Sequence, residues 1–135
     1  MSQENVEVIR RAFDYFNSRD WPSWELLHHG DMVCIPMKDW PDWPDAERVE
    51  GLEAWLERVL LLLEPWDDQR LEIDSLRTTG DLVIVTLRWV ATGHESQIEV
   101  AMPLTGVYTI TDGKIARIEF FHDPNDALDA AGMSE

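Results

Sequence analysis

The sequence is short of the residues on which most covalent chemistry and most nucleic-acid contacts depend. Among its 135 residues there is one cysteine, Cys34, so no internal disulfide can form and a reducing, cytoplasmic compartment is the expectation. Lying in the apolar run "MVCIPM", Cys34 reads as a buried filler and not as a nucleophile. Basic residues are scarce: 11 Lys and Arg stand against 27 Asp and Glu, a formal net charge of −16. Such a surface repels phosphate backbones and anionic headgroups, which argues against nucleic acid and against a membrane as partners. The acidic residues are spread along the whole chain and read as a solvated surface, not a tail. The longest apolar run, Val59 to Leu63, falls far below the ~20 residues of a membrane span. Likewise, "MSQENVEVIRR" lacks the apolar stretch of a signal peptide. Gly-x-Ser-x-Gly, HExxH, paired-cysteine and EF-hand spacings are all missing, as is a positioned Cys-His pair. Neither a metal nor a cofactor is expected.

What remains is an ordinary globular composition, 44% hydrophobic, enough for one domain over residues 1–135 with a single core. "SQENVEVIRRAFDYFNSRD" has helical spacing through Val6, Ile9, Phe13 and Phe16, with Ser2 as a cap. "WPSWELLHHG" predicts a second helix, capped by Asp20 and leaving at Gly30; its last turn would hold His28 and His29, where a cation suits the helix dipole. "MVCIPM" is a brief strand ending at Pro36. "GLEAWLERVLLLLE" is a third helix stopped by Pro65. The period then changes to alternation. "QRLEIDSLRTTG", "DLVIVTLRWVATG", "SQIEVAMPLTGVYTIT" and "KIARIEFFHD" form a four-stranded antiparallel meander, followed by the short helix "DPNDALDAAG". The fold class is therefore α+β, with helices packed on one curved sheet.

In "DLVIVTLRWV" both alternating sets are apolar: Val83, Val85, Leu87 and Trp89 against Leu82, Ile84, Thr86, Arg88 and Val90. Helices cover one face of a sheet. An apolar second face calls for another cover, and a second copy of the chain is the simplest, so a homodimer is expected.

The element order, together with "VIRRAFDYFNSRDW", "VEGLEAWLERVL" and "VAMPLTGVYTITDGKIARIEFFHDPNDALDAAG", resembles the SnoaL-like branch of the nuclear transport factor 2-like superfamily. The resemblance covers nearly the whole chain, although its motifs are packing and turn features and carry no chemistry. It implies a cone-shaped α+β barrel with a mainly antiparallel sheet curled round a hydrophobic pocket, and dimerisation through the opposite sheet face. The superfold hosts isomerases, cyclases, dehydratases, epoxide hydrolases and proteins without catalysis, so function must come from the site.

Laid beside the steroid isomerase relatives, this chain has Ala12, Ile35 and Thr105 where they keep a tyrosine, an aspartate base and a protonated aspartate. Tyr15, one turn from Ala12, is the nearest replacement. Epoxide-hydrolysing relatives place an aspartate two residues after a strand arginine; here Arg88 is followed by Val90. The same alignment turns Ile84, Thr86 and Arg88 towards the pocket, making Arg88 a candidate anchor for an oxyanion, with an ion pair to Glu99 as the alternative. Thr105, Ile118 and Phe120 are candidate lining residues. His122 shares the parity of Ile118 and Phe120 and titrates near neutrality, so it is a candidate acid or base; capping beside "DPN" is the competing role. His94 belongs to an exposed turn.

The tandem "KDWPDWPD" remains. As a polyproline helix it would space Asp39, Asp42 and Asp45 about 9 Å apart, too far to share one calcium ion. Trp40 and Trp43 would share another edge, an aromatic flap at the cone mouth. Asp39, near where related enzymes keep a carboxylate, is a candidate base. Three readings follow. The first is a protein that binds a small apolar or polycyclic ligand, with isomerase, cyclase or hydrolyase chemistry carried by His122, Asp39 and Tyr15 without a cofactor. The second is a ligand-binding protein without catalysis. The third is a dimeric interaction domain whose pocket is filled by its own tryptophans.

Overall fold

The computed structural model describes residues 2–37 and 47–132. Helix α1 (Ser2–Ser18) buries Ile9, Ala12, Phe13 and Phe16 as one stripe while Glu7 and Arg11 pair across a turn on its wet side at 3.5 Å. Each large apolar side chain so buried contributes about 1.5–3 kcal/mol. The helix stops where Arg19 turns left-handed (φ 62°) and the Asp20 amide closes back on the Tyr15 carbonyl at 2.9 Å. Asp20 then caps α2 (Trp21–Glu25), its carboxylate accepting from the Ser23 amide at 3.3 Å, with Pro22 in the first turn.

Helix α2 is shorter than its sequence suggests. His28 opens strand β1 (His28–Ile35), so His28 and His29 do not end a helix. Tertiary pairing overrides the local pattern: β1 runs parallel to β6, with His28 opposite Ile115, and the Ile115 amide bonds the Leu27 carbonyl at 2.8 Å. Along β1 the side chains of His28, Met32 and Cys34 turn inward. A two-residue strand β2 (Val49–Glu50), too short to carry a pattern, pairs with β1. Gly51, at φ 95°, then turns the chain into α3 (Leu52–Leu63), a conformation costly for a residue with a Cβ. Helix α3 buries Trp55 and Val59.

Strands β3 (Trp66–Thr79), β4 (Leu82–Gly93), β5 (Glu99–Thr111) and β6 (Lys114–Phe121) form the expected antiparallel meander, and the six-stranded sheet has the order β2-β1-β6-β5-β4-β3. Strand β3 is therefore an edge, and α1 guards it. The Asn17 side chain donates to the Leu71 carbonyl at 2.9 Å and accepts from the Leu71 amide at 2.8 Å, standing in for a neighbouring strand. Arg19 donates to the Gln69 carbonyl two residues earlier.

Helix α4 (Pro124–Ala130), capped by Asp123, lies on the other face of the sheet, where Ala127 packs with Ile84 and Val107. Thus α4 supplies part of the second cover that the apolar residues of β4 call for. The inward set on β4 is Val83, Val85 and Leu87, which join the main core with Trp89 packed against it. Ile84, Thr86 and Arg88 face outward, opposite to the expected parity. Because β4 is apolar on both sides, its composition does not fix which set points inward, and a shift of one residue exchanges the two.

A candidate functional site in the cone cavity

Between the curled sheet and helices α1, α2 and α3 lies a cavity with space for water centres of ≈ 80 Å³, and ≈ 850 Å³ of interatomic space when its open mouth is included. The smaller figure describes what fits without movement, several times the ~10–15 Å³ needed for one water on that measure. The lining is mostly apolar and aromatic, with Phe13 and Phe16 from α1, Trp24 from α2, Trp55 from α3, and Leu87 and Leu104 from the sheet. An aromatic chain runs along one wall: Trp21 meets Trp24 edge-on at 5.5 Å, and Trp24 stands 6.5 Å from Trp55. Among the described residues, no Asp, Glu, Lys or Arg borders the cavity.

Three polar side chains do, besides the tryptophans, and all three are at least 95% buried: His28, Gln69 and Tyr108. His28 Nδ1 lies 2.8 Å from the Trp24 carbonyl, and its ring centroid is 4.3 Å from that of Trp24. A carbonyl only accepts, so Nδ1 carries the hydrogen. Burial lowers the pKa of His28 to about 4, against a partial opposing effect of that hydrogen bond. At neutral pH the ring is therefore uncharged, and Nε2 is left as an acceptor.

Burial pushes the Tyr108 hydroxyl well above the usual phenol range, so it keeps its proton. Its ring lies over Gly106: a Cβ there would come within 2.7 Å of Tyr108 Cε1 and 3.3 Å of Phe120. The tyrosine thus needs the glycine two residues before it in "TGVY". Gln69 donates through Nε2 to the Leu62 carbonyl at 3.1 Å, which leaves Oε1 as an acceptor. Among the described residues, nothing hydrogen-bonds His28 Nε2, Gln69 Oε1 or the Tyr108 hydroxyl.

Chemically, the described wall offers neutral acceptors and neutral donors, with the Tyr108 hydroxyl as its one O–H. That suits orientation of a hydroxyl, carbonyl or amide better than removal of a proton. With a pKa of about 4, protonating His28 at pH 7 costs about 4 kcal/mol before any ligand contributes.

The sequence candidates fall in different places. Ile118 and Phe120 line the cavity. Thr105 is buried but shares the parity of Val107 on the outward face, and its Oγ1 has no hydrogen-bond partner there. Arg88 is also outward and half-exposed, paired with Glu72 at 2.9 Å and Asp74 at 3.5 Å; Glu99 instead approaches Arg70 at 4.0 Å. Hence neither Arg88 nor Thr105 borders the cavity, a correction that follows from the reversed parity of β4 and its partner β5. Tyr15 is half-buried against the core and does not line the cavity, and His122 is exposed just beyond β6. Asp39, Trp40 and Trp43 lie outside the described residues. His94 is exposed, as expected, and sits 3.1 Å from Asp67. Among the described residues, no three His, Cys, Asp or Glu side chains converge as a metal-binding set.

His28, Gln69 and Tyr108 were not singled out by sequence. A signal for His28 was present in the alternation His28, Met32, Cys34, hidden by the helical look of "WELLHH". Tyr108 shares the parity of Leu104, and its place over Gly106 was open to inference. Gln69 had no signal, because the left-handed Asp68 (φ 49°) shifts the β3 register beside it.

The SnoaL-like domain family matches residues 9–118. The chain belongs to that family. Among solved structures, this SnoaL-like chain is similar to TerC co-crystallised with polyporic acid (18% identity, TM-score 0.78, 96% of this chain and 97% of that one). It is also similar to a protein from Jannaschia sp. CCS1 described as a SnoaL-like polyketide cyclase (22%, 0.76, 98% and 94%). A third is an NTF2-like protein of unknown function from Burkholderia pseudomallei (15%, 0.75, 93% and 95%). These likenesses establish the cone-shaped NTF2-like fold. A comparison with proteins of curated function finds no match.

Proposed function

We propose that this SnoaL-like chain, as one domain, binds a small, uncharged, mostly apolar molecule in the cone cavity. The observation that carries the reading is the combination of an apolar, aromatic cavity with three deeply buried polar side chains on its lining, for whose remaining polar atoms no hydrogen-bond partner is found among the described residues. A cavity kept only for packing has no use for such groups, since each costs stability when left unpaired. That TerC was co-crystallised with a small molecule, polyporic acid, supports small-molecule binding in this fold. The same observation weighs against a self-filled interaction domain.

Isomerase, cyclase or hydrolyase chemistry is the second reading, favoured by the neighbour described as a polyketide cyclase. It needs a stronger base than His28, and Asp39 is the remaining candidate from the sequence, with Tyr15 and His122 placed away from the cavity wall. The outward sheet face supports a homodimer around the part that α4 leaves uncovered. A net charge of −16 supports a protein without nucleic-acid or membrane partners, and the reduced, buried Cys34 fits a cytoplasmic setting.

Trp24, Trp55 and Trp89 line the cavity, so occupation should change tryptophan fluorescence saturably and raise Tm by mass action. Uncharged naphthalene and anthraquinone probes are expected to do both. Ala12→Leu, which adds volume to the cavity wall, is expected to abolish the fluorescence change while the fold persists by circular dichroism. A full panel without saturable binding, or unaltered binding in Ala12→Leu, defeats the proposal.

A further inference from the structure

We infer that His28 and Tyr108 determine specificity in the cone cavity, His28 Nε2 taking a hydrogen-bond donor of an uncharged ligand and the Tyr108 hydroxyl giving its proton to a ligand acceptor. The inference rests on the ligand-binding reading above and adds the functional groups that the ligand must carry. Three features of the structure support it.

First, the His28 tautomer is fixed from outside the cavity. The Trp24 carbonyl holds the Nδ1 hydrogen at 2.8 Å, and the ring is packed 4.3 Å from the Trp24 indole, so in the neutral ring Nε2 cannot become a donor without losing that bond. An acceptor held this way discriminates sharply, because a ligand without an O–H or N–H leaves it buried and unpaired. Second, Tyr108 is fixed by its seat over Gly106, between Phe13 at 6.0 Å and Phe120 at 6.3 Å. Its hydroxyl is the one hydroxyl on the described wall. Third, the described wall carries no cation to balance a carboxylate or phosphate. An anion would have to leave water without compensation, which is far more costly than burying a hydroxyl that finds a partner. The ligand is therefore uncharged, with at least one donor and one acceptor on an apolar body. A hydroxylated ketone, a phenolic amide or a lactam with a free N–H all satisfy this.

Matched probes test each contact by equilibrium dialysis at pH 7. For His28 the pair is 2-naphthol and 2-methylnaphthalene, which differ by hydroxyl against methyl. For Tyr108 it is 2-acetonaphthone and 2-isopropenylnaphthalene. His28→Phe is expected to shift the first affinity ratio about tenfold towards the hydrocarbon and leave the second unchanged. Tyr108→Phe is expected to do the reverse. In the wild type, 2-naphthoate should bind at least about tenfold more weakly than 2-naphthol, a readout independent of whether either variant folds. The inference is overturned if neither ratio moves, if both variants move both ratios alike, or if 2-naphthoate binds as well as 2-naphthol. Those outcomes leave the ligand-binding reading standing as long as the hydrocarbons bind. If none of the probes binds, both fail.

Discussion

His28 shows how far one residue's surroundings can reset its chemistry. In the unfolded chain it takes up a proton near pH 6.5; in the folded chain burial delays that to about 4. Between those values the unfolded state holds more protons, so folding stability falls as pH drops from about 6.5 towards 4 and is fully present above that window. The difference corresponds to about 3 kcal/mol for this one group. His28→Gln should remove this part of the acid sensitivity, so that urea midpoints measured at pH 5 and pH 7.5 lie closer together than in the wild type. An equal pH dependence in the variant would show that the carboxylates carry it instead. Cys34, buried as its apolar run implied, responds to the same cause: burial raises its thiol pKa well above the ordinary value.

At the scale of elements, strand β3 depends on a side chain from another element to finish its edge. Asn17 makes two hydrogen bonds to the Leu71 backbone, and Leu71 lines the cavity. Asn17→Ala is expected to cost about 1–2 kcal/mol, read as a lower urea midpoint at unchanged m-value, with faster amide exchange at Leu71. If exchange there is unaltered, the clamp has no part in holding the edge. Helix and strand types were largely legible in the sequence, since the switch from helical to alternating spacing after Pro65 is strong. Two local readings went differently. The segment "HHG" joined a strand because β6 offers it a parallel partner, and β2 was too short to carry a pattern. Both outcomes depend on residues far away in the chain, Ile115 for His28 and Val33 for Glu50.

For the molecule as a whole, the apolar outward face raises the question of assembly. Helix α4 covers Ile84 and Val107, while β3, β4 and β5 carry around the remainder the ion pairs Arg88–Glu72, Arg88–Asp74 and Arg70–Glu99. A homodimer through this face predicts about twice the 15.7 kDa chain mass by light scattering at micromolar concentration. Ala101→Glu, on β5 opposite the buried Val90, is expected to return the mass to that of one chain. A wild-type monomer under those conditions removes the argument. High salt should favour association if it acts at all, because it screens the repulsion between two chains each carrying −16.

The sequence by itself determined the α+β class, the meander and the acidic surface, because periodicity, turn residues and charge are local or additive properties; the SnoaL-like family was legible only as a resemblance of whole segments, which the match over residues 9–118 bears out. It also assigned Ile118 and Phe120 to the inner parity of β6, where the flanking polar residues mark the other face. Only the tertiary structure decided which set of β4 looks inward, and with it the removal of Arg88 and Thr105 from the cavity wall. It alone brought His28 from β1, Gln69 from β3 and Tyr108 from β5 to one cavity. The physical reason is that a strand with two apolar faces has no preferred side until its partners curl around the helices, and burial strong enough to silence a histidine exists only once they have.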